Sequence, residues 1–234
     1  LMYYDFDIDQ NLINLANVCE KQLIKIFKRF DEICLINSSK VLRAFQDQNV
    51  ASSDFAEVNG YGYYDAGRDK LEKIYAQIFE TEDALVRPQI MSGTHALSLT
   101  FFGILRYGDT MLSITGTPYD SLQTIIGIAG NSKNSLISSG INYEQIELVN
   151  DDFDIPKIVK RLKQSKVKLI EIQRSRGYAH RKSLSIKKIE KVCKAIREVD
   201  KNVIIMVDNC YGDFVEDKEP TQVGADLIVG SLMK

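Results

Sequence analysis

From residue 9 to residue 30 apolar side chains return at helical spacing. Leu12, Leu15, Ala16, Cys19, Leu23, Ile26, Phe27 and Phe30 fall on one stripe. A second helical stretch is predicted from Asp31 to Gln46. Both precede any strand pattern, so residues 1–50 are read as an N-terminal helical arm of the kind that packs on a neighbouring subunit. Residues 51–67 are rich in Gly, Tyr, Asp and Ser and read as an ordered loop. A helix follows from Arg68 to Phe79.

The period then changes, and short apolar runs alternate with helical patterns. Strands are predicted at Ala84–Val86, Thr110–Ile114, Ile146–Val149, Val167–Ile172, Val203–Val207 and Asp226–Val229. Helices are predicted at Gly93–Arg106, Asp120–Ala129, Ile155–Lys163 and Ser185–Val199, with Pro156 tolerated in a first turn and Ser185 as a cap. Continuous apolar strands alternating with helices predict an α/β domain over residues 51–234. Its sheet is mostly parallel and covered on both faces.

Composition narrows the function. The chain has 234 residues, 44% hydrophobic and 26% charged, with a formal net charge of -2. That balance suits one sizeable globular domain and gives no basic excess for nucleic acid. No apolar run reaches the ~18 residues of a membrane span, and the first residues lack a basic-then-apolar signal. Cys19, Cys34, Cys193 and Cys210 are scattered, without C-x-x-C or metal spacing. They fit a reducing, cytoplasmic compartment, the first three as small core residues on helices and Cys210 near a site. With only His95 and His180 present, no multi-histidine metal centre is expected.

In a parallel sheet, ligands collect beyond the C-terminal strand ends. The residues with chemistry fall there. Ser92-Gly93-Thr94-His95 opens an apolar helix, either as an anion site or simply as a good cap. Tyr119, after the Thr110–Ile114 strand, could stack on a flat ring or pack as a turn residue, and His95 is a rival for the ring face. Gln173-Arg174-Ser175-Arg176 suits a carboxylate or an oxygen-rich ring substituent, or is a solvated basic loop. Asp208, ending an apolar strand, could keep a pyridine nitrogen protonated, or could cap a turn. Ser231 and Lys234 follow the last strand. A lysine there can be desolvated, which favours its free amine for Schiff-base chemistry; otherwise it is a surface lysine.

Together these stretches resemble the methionine gamma-lyase-like, or aluminium resistance protein, family of carbon–sulfur lyases related to cystathionine beta-lyase. The resemblance is carried by Gly60 to Asp69, Ala84 to Gln89, Ser92 to Ala96, Gln173 to Tyr178, Val207 to Gly212 and Gly230 to Lys234. It implies the three-layer large domain of fold-type-I enzymes (the aspartate aminotransferase fold) and pyridoxal 5'-phosphate as cofactor. It further implies that Lys234 binds the cofactor and shuttles the proton, that Asp208 pairs with the ring nitrogen and that Tyr119 stacks on the ring. Ser92, Gly93, Thr94 and Ser231 would surround the phosphate, with His95 and Gln173 beside the cofactor. Tyr61 or Tyr63, with Arg68, loosely matches a segment that related lyases lend to a neighbouring subunit.

The implied function is elimination from a sulfur-containing amino acid in a cytoplasmic homodimer or homotetramer with shared active sites. Family members continue past the lysine into a smaller C-terminal domain that supplies a carboxylate-binding arginine, so this sequence is expected to be part of a longer protein. Two alternatives stay open: another fold-type-I reaction, of aminotransferase or aldolase type, and a non-catalytic protein that keeps the fold. A nicotinamide-binding domain is disfavoured, because no G-x-G-x-x-G opens the first βα turn.

Overall fold

A computed structural model describes residues 7–58, 61, 63 and 65–232. Met233 and Lys234 lie outside the described residues, as do Gly60, Gly62 and Tyr64 in the predicted loop.

The first element is one helix, α1 (Gln10–Asp47), where two were predicted. No glycine or proline interrupts the run, so nothing in the backbone ends the first helix near residue 30. Asp9 caps it, its Oδ1 accepting from the Asn11 N–H at 2.7 Å. Only its C-terminal half is docked. Ala44 is buried against α2 (Ala66–Phe79), and Asn37 Nδ2 donates to the carbonyls of Phe214 and Glu216 at 3.0 Å each. The N-terminal half carries exposed Leu12, Leu15, Val18 and Phe30, and Cys19 and Cys34 are exposed rather than core residues.

Five strands follow: β1 (Thr110–Ser113), β2 (Asn142–Gln145), β3 (Leu169–Gln173), β4 (Ile204–Asp208) and β5 (Leu227–Val229). They lie in the order β2-β1-β3-β4-β5, and all four pairings are parallel. Side chains alternate between the two faces, as the pleat requires. Leu112, Ile114, Ile170, Ile172, Ile205 and Val207 meet α5 (Ile155–Leu162) and α6 (Ile186–Val199) in one core cluster. Met111, Leu169, Met206 and Val229 meet α3 (Gly93–Ile104) and α4 (Asp120–Ile126) in the other. The result is three layers, helix–sheet–helix.

The helices start where the sequence supplies caps. Asp154 Oδ1 accepts from the Lys157 N–H at 3.1 Å, with Pro156 in the first turn and Lys160 and Arg161 in the last. Ser185 makes no side-chain cap; the Ile186 N–H donates instead to Glu216 Oε1 at 2.8 Å.

Two strand predictions fail. Ala84–Val86 pairs with no strand, and the Val86 N–H donates to Glu72 Oε1 at 3.0 Å. The predicted Ile146–Val149 strand lies four residues upstream, at Asn142–Gln145. β2 is an edge strand with no fully buried residue, so its sequence is polar and the following apolar run drew the prediction.

Candidate active site

Strand order creates the site. From β1 the chain passes outward to β2 and then returns to β3 on the other side, so the connections diverge beyond the C-terminal ends of β1 and β3. A crevice opens at such a switch point. Its floor is made by the last residues of β3 and β4, with Gln173 opposite Asp208 in register.

The turn after β1 is tied to that floor. Thr115 Oγ1 accepts from the Gln173 N–H at 3.0 Å, and Gln173 Oε1 accepts from the Tyr119 N–H at 2.9 Å. Tyr119 stands just before α4, and its hydroxyl shares a 3.0 Å hydrogen bond with Thr94 Oγ1, in the first turn of α3. Burial pushes the Tyr119 phenol up; the Thr94 hydrogen bond opposes this and the nearby Asp208 charge adds to it. Tyr119, Thr94, Gln173 and Asp208 are therefore one neighbourhood.

The N-terminus of α3 forms a second wall. Ser92 Oγ accepts from the His95 N–H at 3.1 Å, which caps the helix. A side-chain carbon built on Gly93 would come within 3.2 Å of Cys210 Sγ and 3.3 Å of Ser231 Cβ. The bare glycine thus lets the helix end, the residue after β5 and the turn after β4 approach closely. Unpaired N–H groups and the helix dipole make such an end attractive to an anion.

Asp208 closes the cluster. It is 2% exposed, and its Oδ1 accepts from the Cys210 N–H at 3.0 Å. Behind it Arg174, 3% exposed, fastens the following turn. Its Nη1 donates to Asn209 Oδ1 at 2.8 Å and to the Gly212 carbonyl at 2.7 Å, and its Nη2 donates to Glu216 Oε1 at 2.9 Å. Asn209 Nδ2 donates in turn to Glu219 Oε2 at 3.0 Å. The sequence left Arg174 open as a ligand-binding or a solvated residue; it is instead a buried clamp, because its donors are consumed by these acceptors. Arg176 is exposed.

The sequence model of the family described as methionine gamma-lyase matches residues 12–234. The chain belongs to the methionine gamma-lyase family. It is 48% identical to a "putative cystathionine beta-lyase involved in aluminum resistance" from Clostridium acetobutylicum, with a TM-score of 0.94 over 98% of this chain and 55% of that one. It is 44% identical to a carbon-sulfur lyase involved in aluminum resistance from Clostridium novyi NT, with a TM-score of 0.90 over 94% of this chain and 53% of that one. The uncharacterized protein YnbB of Bacillus subtilis is 46% identical over 92% of this chain and 51% of its own length. The chain thus spans about half the length of these relatives. A pyridoxal-5'-phosphate dependent protein from Escherichia coli, YhfS, is 14% identical with a TM-score of 0.64 and shares the fold. The fold is the large domain of fold-type-I enzymes.

The family implies pyridoxal phosphate, and the residues present fit it. The Gly93 cradle at a helix N-terminus suits a phosphate, the buried Asp208 carboxyl suits a ring nitrogen, and Tyr119 is bonded to Thr94 and near the Asp208 charge. Gln173 is 5% exposed and holds the Tyr119 backbone. His95 accepts from the Met91 N–H through Nδ1 at 3.2 Å and so helps to fold the helix entrance. Lys234 lies outside the described residues. Tyr61 and Tyr63 are 81% and 76% exposed. Arg68 Nε stands 3.6 Å from Asp65 Oδ2, is buried, and has no hydrogen-bond partner among the described residues. Among those residues no group of His, Cys, Asp or Glu could hold a metal, and no helix is long and apolar enough to cross a membrane.

Two residues escaped sequence reasoning. Glu171 and Ser113 sit opposite each other in β3 and β1, and both are fully buried on the crevice side of the sheet. The signal was a glutamate in an otherwise apolar strand core, where an unpaired charge is costly.

Proposed function

We propose that the protein to which this chain belongs is a cytoplasmic, pyridoxal-phosphate-dependent carbon–sulfur lyase acting on a sulfur-containing amino acid. The observation that carries the reading is Asp208: a carboxyl 2% exposed at the end of β4, beside the Gly93, Cys210 and Ser231 cradle. Such a carboxyl holds a proton on the cofactor's ring nitrogen. When bound, the cofactor supplies an electron sink for the pair left as the substrate's α-proton departs.

The chain's own residues do the rest. Gly93, Thr94 and Ser231 would hold the phosphate, and Tyr119 and Gln173 would hold the ring in the crevice. Lys234 takes the α-proton and returns it to the departing sulfur, so a thiol leaves as the carbon–sulfur bond breaks. Water then releases keto acid and ammonia. Tyr61 or Tyr63, with Arg68, completes the phosphate site of a second copy in a homodimer or homotetramer.

Incubating the full-length protein with cystathionine, methionine or cysteine tests the reaction. Thiol, keto acid and ammonia released in equal amounts support elimination. Transfer of the amino group to an added keto acid, without thiol, would assign an aminotransferase instead.

A further inference from the structure

Glu171 sits in the middle of β3, on the face that carries Gln173 two residues later. It is 0% exposed. Its Oε1 is buried without a hydrogen-bond partner among the described residues. Its Oε2 lies 2.7 Å from Ser113 Oγ, and the same hydroxyl lies 2.8 Å from the Gly116 carbonyl. A serine hydroxyl has one hydrogen. If Glu171 were ionised, that hydrogen would face two acceptors, one of which must go without, and Oε1 would be a second unserved charged oxygen. A neutral carboxyl group removes the conflict: Oε2–H donates to Ser113 Oγ, and Ser113 Oγ–H donates to the Gly116 carbonyl.

The surroundings agree with the hydrogen count. Burial pushes Glu171 up to about 8; the Ser113 hydrogen bond opposes this, the Asp208 carboxyl on β4 reinforces it, and Arg181 from the loop after β3 pulls back. Tyr143 on β2 offers no countercharge, since burial raises its phenol too. Arg181 Nη2 is engaged by the carbonyls of Gln173 and Ser175 at 2.9 and 2.6 Å.

The relay ends on a turn that matters. Gly116 has φ +79°, and its N–H donates to the Ile146 carbonyl at 3.0 Å. Tyr119 follows three residues later, held by Gln173 from the same face of β3. We infer that Glu171 is a neutral, proton-donating positioning residue that acts through Ser113 to hold the Gly116 carbonyl and so fix the turn presenting Tyr119 to the crevice. The importance of Tyr119 rests on the cofactor reading of that crevice; the protonation and the relay do not.

Three measurements on the full-length protein test this, with variants Glu171→Gln and Ser113→Ala. Infrared spectra in heavy water should show a carboxylic-acid carbonyl band at neutral pH that Glu171→Gln removes. Amide exchange over residues 114–119 should run about tenfold faster in Ser113→Ala, which loses the relay, and stay at the wild-type rate in Glu171→Gln, whose amide still donates to Ser113. Folding stability gives the third readout. The folded acid titrates above the unfolded one, so the native state binds the extra proton and stability falls as pH rises between about 4.5 and about 8. Glu171→Gln should flatten that slope. A folded protein with no such band, or Ser113→Ala with unchanged exchange, overturns the inference. A wild type that takes up no pyridoxal phosphate, yet shows the band and the exchange response, overturns the cofactor reading and leaves Glu171 in its role.

Discussion

The crevice at the strand ends and the free half of α1 are built from equally regular apolar sequence, yet they end in opposite environments. In the crevice, Gln173, Asp208 and Gly93 are buried and held from two or three elements at once. On α1, Leu15 and Phe30 remain 60% and 58% exposed, and the contacts that dock the helix begin only near Asn37. Periodicity predicts regular elements in both places, but burial depends on what the fold brings against each. The residues described around the crevice lie within residues 65–232, and the same residues leave Leu12, Leu15 and Val18 of the arm exposed.

Substitutions should separate the two regions by size of effect. The largest is Lys234→Ala: it should bring thiol release to background, at the upper end of the ~10²–10⁴-fold loss expected when a catalytic base is removed. Retained turnover would remove Lys234 from the mechanism. Next comes the buried clamp. Arg174→Met should lower folding stability by about 3–5 kcal/mol, seen in denaturant melts, because it strands Glu219 and Asn209 indoors. Arg43→Met, in the docked part of the arm but with a side chain 74% exposed, should cost far less than Arg174→Met. Equal costs would erase the distinction.

Asp208→Asn comes third. Turnover should fall ~10²-fold with a smaller stability loss than Arg174→Met, since the amide oxygen can still accept from the Cys210 N–H. The smallest effect is Gly93→Ala. The added methyl meets Cys210 Sγ and Ser231, so cofactor affinity should weaken by about tenfold in a spectroscopic titration. Adding Cys210→Ala should recover part of it. No recovery would mean that Ser231, not the thiol, sets the limit.

Much of the fold could be read from the chain. The strands at β1, β3, β4 and β5 lie within two residues of their predicted bounds, because buried parallel strands are continuous apolar runs. β2 was misplaced for the complementary reason: an edge strand can be polar. Asp208, Tyr119, Gln173 and Gly93 could be singled out from the chain because each ends a strand or stands at a helix start. The role of Arg174 was not, since the sequence cannot show that three acceptors from residues 209–216 converge on it. Glu171 was hidden by the same kind of gap. Only the pairing of β1 with β3 brings Ser113 opposite it.

The most direct test of the central claim is a visible absorption spectrum of the full-length protein with pyridoxal phosphate, before and after borohydride, followed by mass mapping of the reduced peptide. The account predicts a cofactor band that borohydride bleaches and a stable adduct on Lys234. A folded protein that stays colourless, or an adduct on another lysine, would contradict it.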